Sequence, residues 1–153
     1  LIRQMRALIQ RVNSASVTLP DGEQRAISKG LLIYLGIGER DDSTRAARLC
    51  DKVLNLRIFP NSESKFDKSV LDIKGEVLVI SQFTLYGDPW SGRRPDFTSA
   101  AQPEPAKKLY QEFVTLVQSS GLTVKAGEFA AHMLIESVND GPVTIWAEWP
   151  PGG

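Results

Sequence analysis

Two short stretches hold the residue types that could do chemistry. They are "SQFTL", Ser81 to Leu85, and "NDGPVT", Asn139 to Thr144. The first offers two hydroxyls, Ser81 and Thr84, with Gln82 and Phe83 between them. A hydroxyl becomes a nucleophile only when a neighbouring base takes its proton. The chain has one histidine, His132, at the opening of a run that reads as a strand. A lone histidine is more often structural than catalytic, so a Ser-His-Asp mechanism is poorly supported. On an extended strand Gln82 and Thr84 share one face, and Ser81 and Phe83 the other. Two readings fit: polar residues that end a buried strand, or a site at the strand's end where loops diverge.

"NDGPVT" lies between two strand-like runs. Proline cannot donate to a sheet ladder, so a turn or bulge is expected there. Only about 5–6% of X-Pro bonds are cis in folded proteins, so the bare pattern favours trans. A third stretch, "DPWSGRRPDF", joins Arg93 and Arg94 to Trp90 and Phe97. Cations interleaved with aromatic rings suit single-stranded nucleic acid, and they suit a solvated loop equally well. Cys50 falls on the apolar stripe of a helix and reads as core.

Composition excludes several classes. The 153 residues fit one domain, with 42% hydrophobic and 24% charged residues as in a globular protein. Lysines and arginines number 18, matched by 18 aspartates and glutamates. That balance argues against a non-specific grip on nucleic acid, which is mostly electrostatic, but leaves room for a local basic patch. The longest apolar run, "GLLIYLGIG", is far shorter than the roughly 20 residues of a membrane helix, so no membrane partner is expected. A single cysteine allows no internal disulfide and fits a reducing compartment, which makes a cytoplasmic location the expectation. No CxxC or HExxH spacing occurs, so neither a protein-made zinc site nor another cofactor is expected.

The elements that must position these stretches follow from periodicity. "RALIQRV" and "ASVTLP" read as two strands joined at Asn13-Ser14. "RAIS" is a short strand and "GLLIYLGIG" a buried one, the last forming a meander with the two before it. Asp41, Asp42 and Ser43 offer a helix cap, followed by Ala46, Leu49, Cys50, Val53 and Leu54 at helical spacing. "GEVLVISQFTLYGD" reads as the strongest strand. A second helix carries Ala106, Leu109, Tyr110, Phe113 and Val117 and stops near Gly121. "LTVKAG", "HMLIESVN" and "VTIWAEW" close the order as strands. The whole reads as mixed α/β, with helices gathered on one side of a sheet system. One domain is expected over residues 5–149, with residues 1–4 and 150–153 as terminal extensions.

"SQFTL", then "RRPDF", "AGEFAAHM" and "NDGPVT", in this order, resemble the D-aminoacyl-tRNA deacylase family. "MRALIQRVNSASV" and "GLLIYLGIG" resemble its first strands, so the likeness spans Met5 to about Trp146. It implies a β-barrel-like pair of sheets with helices on one side, acting as a homodimer with sites at the interface. It implies hydrolysis of the ester between a D-amino acid and the 3′ end of tRNA, and clearance of mischarged glycine. Gly141-Pro142 would be cis and would reach into the partner subunit's site. Gln10 and Arg11 would support that loop. Ser81, Gln82, Phe83 and Thr84 would line the pocket, and Phe129 and Met133 would stand as walls near the adenine. The family often reads "TGxFGAxM" where this chain has Ala126 and Ala130 at the Thr and second Gly positions. It also tends to carry Asn where Asp67 stands, and no role attaches to that residue.

Without a base in the chain, the expected mechanism rests on backbone amides of Phe83 and Thr84 as oxyanion donors and on the ribose 2′-hydroxyl of the substrate. Thr84 as covalent nucleophile ranks second. Chirality would be read by the carbonyls of Gly141 and Pro142. The rival class is a nucleic-acid-binding module without catalysis, of the kind that binds DNA replication regions.

Overall fold

The computed structural model describes residues 4–151. Residues 1–3 and 152–153 of the expected terminal extensions lie outside the described residues. Gln4 does not stand free of the domain: it is buried, and its carbonyl accepts from the Tyr86 hydroxyl.

The spine is β1, Met5–Thr18, a single strand where two strands and a turn were expected. Asn13 and Ser14 are polar and exposed, which gives them the look of a turn. Their backbone nevertheless stays in the sheet, because β6, Leu134–Trp149, pairs with β1 along its whole length. The other edge of β1 is shared. Its first half pairs with β3, Gly30–Gly36, and its second half with the short β2, Gln24–Ile27. The expected meander is therefore replaced by an arrangement in which β1 lies between its neighbours. β3 continues in parallel to β4, Glu76–Ser81, and β4 to β5, Val124–Ala126. Each parallel step needs a crossover, and the helices α1, Ser43–Asn55, and α2, Pro103–Gln118, provide them. The six strands form one sheet that curls into a nearly closed barrel. Arg25 in β2 donates to the Ala126 carbonyl in β5 at 2.8 Å, tying its ends together.

Alternation along the central strands divides the apolar side chains. Leu31, Ile33 and Leu35 of β3 and Val77 and Val79 of β4 face the helices, where the stripes of α1 and α2 meet them. Leu32, Leu78 and Ile80 turn the other way, toward Val12, Ala15, Val17 and Ile27. Every stripe residue expected on the two helices is buried. Asp42 caps α1 by accepting from the Arg45 amide at 2.9 Å. Pro103 opens α2, where a missing N–H costs nothing. Cys50 is buried among these residues, and burial pushes its thiol up to about 11, so it is an inert core residue at neutral pH.

Tyr110 fastens α2 to the sheet. Its hydroxyl donates to the Val79 carbonyl at 2.8 Å, and burial raises its pKa to about 12. Tyr86 is raised as well, by burial first and by the Asp41 carboxylate second. Above pH 10 the unfolded chain loses these protons while the folded chain keeps them, so stability falls as pH rises. Tyr110→Phe is expected to make that alkaline loss shallower by up to about 1.4 kcal/mol per pH unit, read from urea midpoints between pH 9 and about 12.

Candidate functional site

The strand of "SQFTL" ends at Ser81. Phe83–Tyr86 coil into one 3-10 turn, so the expected strand alternation of Gln82 with Thr84 is absent. The cause is not local. Gln82 still donates its amide to Leu35 in β3 at 2.8 Å, and the chain then turns, Leu85 and Gly87 donating back to Gln82 and Thr84 at 3.2 and 2.9 Å. Arg6 of β1 fixes the turn from outside. Its guanidinium donates to the Leu85 carbonyl at 2.9 Å and lies 4.6 Å above the Tyr86 ring. Tyr86 is buried, and Gly36 and Gly38 make room for it, since a Cβ on either would stand 3.0 Å from its ring or hydroxyl. The first amide of the turn to find an acceptor is that of Leu85. The leading amides, Phe83 and Thr84, have none within the turn. The Gln82 side chain donates to the Thr84 hydroxyl.

A cleft of about 530 Å³ opens beside this turn. Ser81, Gln82 and Phe83 line it on one side, Phe129 and Met133 on another, and Phe97 with the start of α2 on a third. Phe83 meets Phe97 edge-on, with centroids 5.1 Å apart. Gly127 lets Met133 pack close, for a Cβ there would stand 2.5 Å from its sulfur. His132 also lines the cleft, although exposed. Among the described residues no cluster of three His, Cys, Asp or Glu could hold a metal.

Thr84, Gly141, Pro142, Gln10 and Arg11 are not part of this lining within one chain. Gln10, Arg11, Gly141 and Pro142 form a second cluster on β1 and β6, while Thr84 stays on the 3-10 turn. Gln10 pairs with Thr144 and Val12 with Asn139, so Asp140 to Val143 bulge out opposite Arg11 alone. The stretch is a wide bulge in one strand, not a turn between two, and the Gly141–Pro142 peptide is cis where the bare pattern favoured trans. Arg11 is buried, and its guanidinium donates to the Asp140 carbonyl at 3.0 Å and to the Ile58 carbonyl at 2.7 Å. Asn139 takes the Val143 amide at 2.8 Å and donates to the Thr144 hydroxyl at 3.1 Å, which also accepts from Gln10 at 3.3 Å. Gly141 has φ +130°, a conformation glycine tolerates, and it projects into solvent with Pro142.

Sequence reasoning missed the supports: Arg6, Tyr86, Ile58 and Asn139. Their roles depend on contacts across the fold, and even Asn139, within a motif already singled out, shows its role only through the amide it accepts. Asp67 does have a structural role, joining Arg57 at 2.6 Å and Asn61 at 2.7 Å.

A barrel-like mixed sheet with two helices, and a cleft where a parallel strand gives way to a turn, defines the class. A solved structure described as c-Myc DNA Unwinding Element Binding Protein shares it with TM-score 0.87 and 40% identity, over 95% of this chain and 99% of the other. The model of the D-Tyr-tRNA(Tyr) deacylase family matches residues 8–148, and the chain belongs to that family. A D-aminoacyl-tRNA deacylase of Clostridioides difficile is 52% identical, and one of Thermotoga petrophila 51%, each over 92% of this chain and 95% of the relative.

Two substitutions probe the supports. Arg11→Leu removes both donors and leaves the Ile58 carbonyl buried without a partner. It is expected to cost about 2–3 kcal/mol by chemical denaturation. Ala130, at the cleft wall, has φ +64° in a turn closed by the Ala131 amide on Glu128 at 3.2 Å. A side chain in that left-handed region costs about 1–2 kcal/mol, partly offset in glycine by the greater freedom of its unfolded chain. Ala130→Gly is therefore expected to raise stability by about 0.5–1 kcal/mol, seen as a higher denaturation midpoint.

Proposed function

We propose that the protein hydrolyses the ester between a D-amino acid and the terminal adenosine of tRNA, releasing free D-amino acid and tRNA. The observation that carries this reading is the cleft beside the Phe83–Tyr86 turn, walled in part by Phe83, Phe97, Phe129 and Met133 and next to amides with no acceptor among the described residues. The adenine fits between Phe129 and Met133. The ester carbonyl then lies against the Phe83 and Thr84 amides, donors for the oxyanion that forms when water attacks. The water oxygen bonds to the carbonyl carbon, and the C–O bond to the ribose 3′-oxygen breaks. That oxygen leaves with one proton of the water, the other passes to solvent, and the amino acid leaves as its carboxylate. The ribose 2′-hydroxyl orients the water. An aminoacyl ester is reactive enough for positioning and charge stabilisation to suffice.

Selectivity falls to Gly141 and Pro142 of a second copy. D- and L-residues carry the same groups, so only exclusion by shape separates them. Two backbone carbonyls facing the α-carbon would hold the amino group and occupy the space an L-side chain needs. Glycine has no side chain to exclude and would enter. A homodimer is supported by the apolar side chains that one chain leaves exposed, Phe83, Leu134, Val138 and Trp146. The free edge of the long β6 supports it too.

D-aminoacyl-tRNA and glycyl-tRNA are expected to be hydrolysed while L-aminoacyl-tRNA survives, followed as released amino acid. Comparable rates on matched D- and L-substrates would overturn the filter. Thr84→Ala should retain turnover within about tenfold, because its amide stays; abolished turnover together with a trapped acyl-enzyme would make Thr84 the nucleophile. Light scattering should give twice the chain mass, and a fully active monomer would refute the shared site. The second reading, nucleic-acid binding without catalysis, draws on the name of the 40% identical solved structure. Absence of any amino acid released from D-aminoacyl-tRNA would favour it.

A further inference from the structure

The loop between the 3-10 turn and α2 is built to present two cations and a ring. Asp88 and Asp96 exchange backbone hydrogen bonds at 2.7 and 2.9 Å, which closes residues 89–95 into a compact excursion. Both carboxylates are turned onto their own backbone. Asp88 accepts from the Trp90 amide at 2.9 Å, and Asp96 from the Thr98 amide at 2.8 Å. Arg93 and Arg94, exposed at the tip, have no ion pair among the described residues. Trp90 is 90% exposed, an unusual position for so large an apolar ring. The base of the loop belongs to the cleft, through Phe97 against Phe83.

We propose that this loop holds the single-stranded nucleotides preceding the esterified adenosine, with a base stacked on Trp90 and phosphates paired to Arg93 and Arg94. The proposal rests on the deacylase reading and adds how the tRNA end is held outside the cleft. Charge supplies one argument: the loop's own acids are satisfied by amides, so its arginines are available to an anion of the right spacing. Shape supplies another. An exposed ring in the same loop as guanidinium groups without an ion pair among the described residues matches an alternation of bases and phosphates, and stacking on it is tolerant of base identity. Continuity supplies the last, since a strand leaving the cleft past Phe97 meets this loop first.

The test compares two substrates of one amino acid: D-aminoacyl-tRNA, and the D-aminoacyl ester of adenosine alone, which lacks the preceding nucleotides. Trp90→Ala is expected to lower kcat/KM on the tRNA by about tenfold or more, mostly through KM. It should leave the adenosine ester unchanged, and Trp90→Phe, which keeps a ring, should recover most of the loss. Arg93→Ala with Arg94→Ala should weaken the tRNA reaction. It should also flatten the slope of log(kcat/KM) against log salt by about 1.4, the share of two phosphates on a single strand. Equal losses on both substrates would mean that the loop only shapes the cleft, and would overturn the proposal. So would full activity of the variants on tRNA. A wild-type protein inert on both substrates would overturn the deacylase reading, and the proposal with it.

Discussion

The buried guanidinium of Arg11 joins three parts of the chain that are far apart in sequence. It sits on β1 where the register with β6 breaks, and it spans the Asp140 and Ile58 carbonyls. A cation withdrawn from water is costly unless its donors are used, so such a group tolerates few alternative arrangements of its acceptors. The wide bulge of β6 could otherwise take many shapes. Arg11 restricts it from beneath, and Asn139 closes it from within through the Val143 amide. Gly141 and Pro142 project from this braced base.

The same strand governs the other half of the site. Arg6, earlier on β1 than the bulge, holds the Leu85 carbonyl and covers Tyr86, so the turn that carries Phe83 and Thr84 is set by β1 as well. In both places β1 braces backbone, the turn Phe83–Tyr86 and the bulge opposite Arg11. A backbone site has no reactive side chain to tune, and its quality is the accuracy with which peptide groups are held. Side chains act here as struts: arginines of one strand grip carbonyls of a turn, a loop and the neighbouring strand.

Much of this was open to sequence reasoning, and what was not has a common cause. The helices were legible because a stripe such as Ala46, Leu49, Cys50, Val53 and Leu54 reports its own burial. The motif residues Ser81, Gln82, Phe83, Phe129 and Met133 were legible as a group, and the fold gathers them in one cleft. Strand continuity was not. Asn13-Ser14 and Asn139 to Pro142 look like turns, yet each is an irregularity within a strand whose partner runs on. The end of β4 was misread because the turn after Ser81 is held by Arg6, 79 residues before the carbonyl it binds. Local pattern reports what a segment prefers, whereas these features are decided by what lies across the sheet. Ala130 is the converse case: the resemblance led to an expectation of glycine there, the position does adopt a glycine-like φ, and alanine occupies it at some cost.

The pairing of β1 with β6 also sets a schedule. Met5 lies opposite Trp149, so β1 is completed by the strand most distant from it in this sequence. Closing so long a loop comes late and slowly in folding, since its entropy must be met before the ladder rewards it. Until then β1 has one bare edge, and Arg11 has no bulge to grip. Until β6 docks, the β1–β3 ladder has both its strands, but the braced Gly-Pro loop lacks its support. The braced bulge is thus a late feature of folding, since its parts meet only when the two strands farthest apart in this sequence have paired.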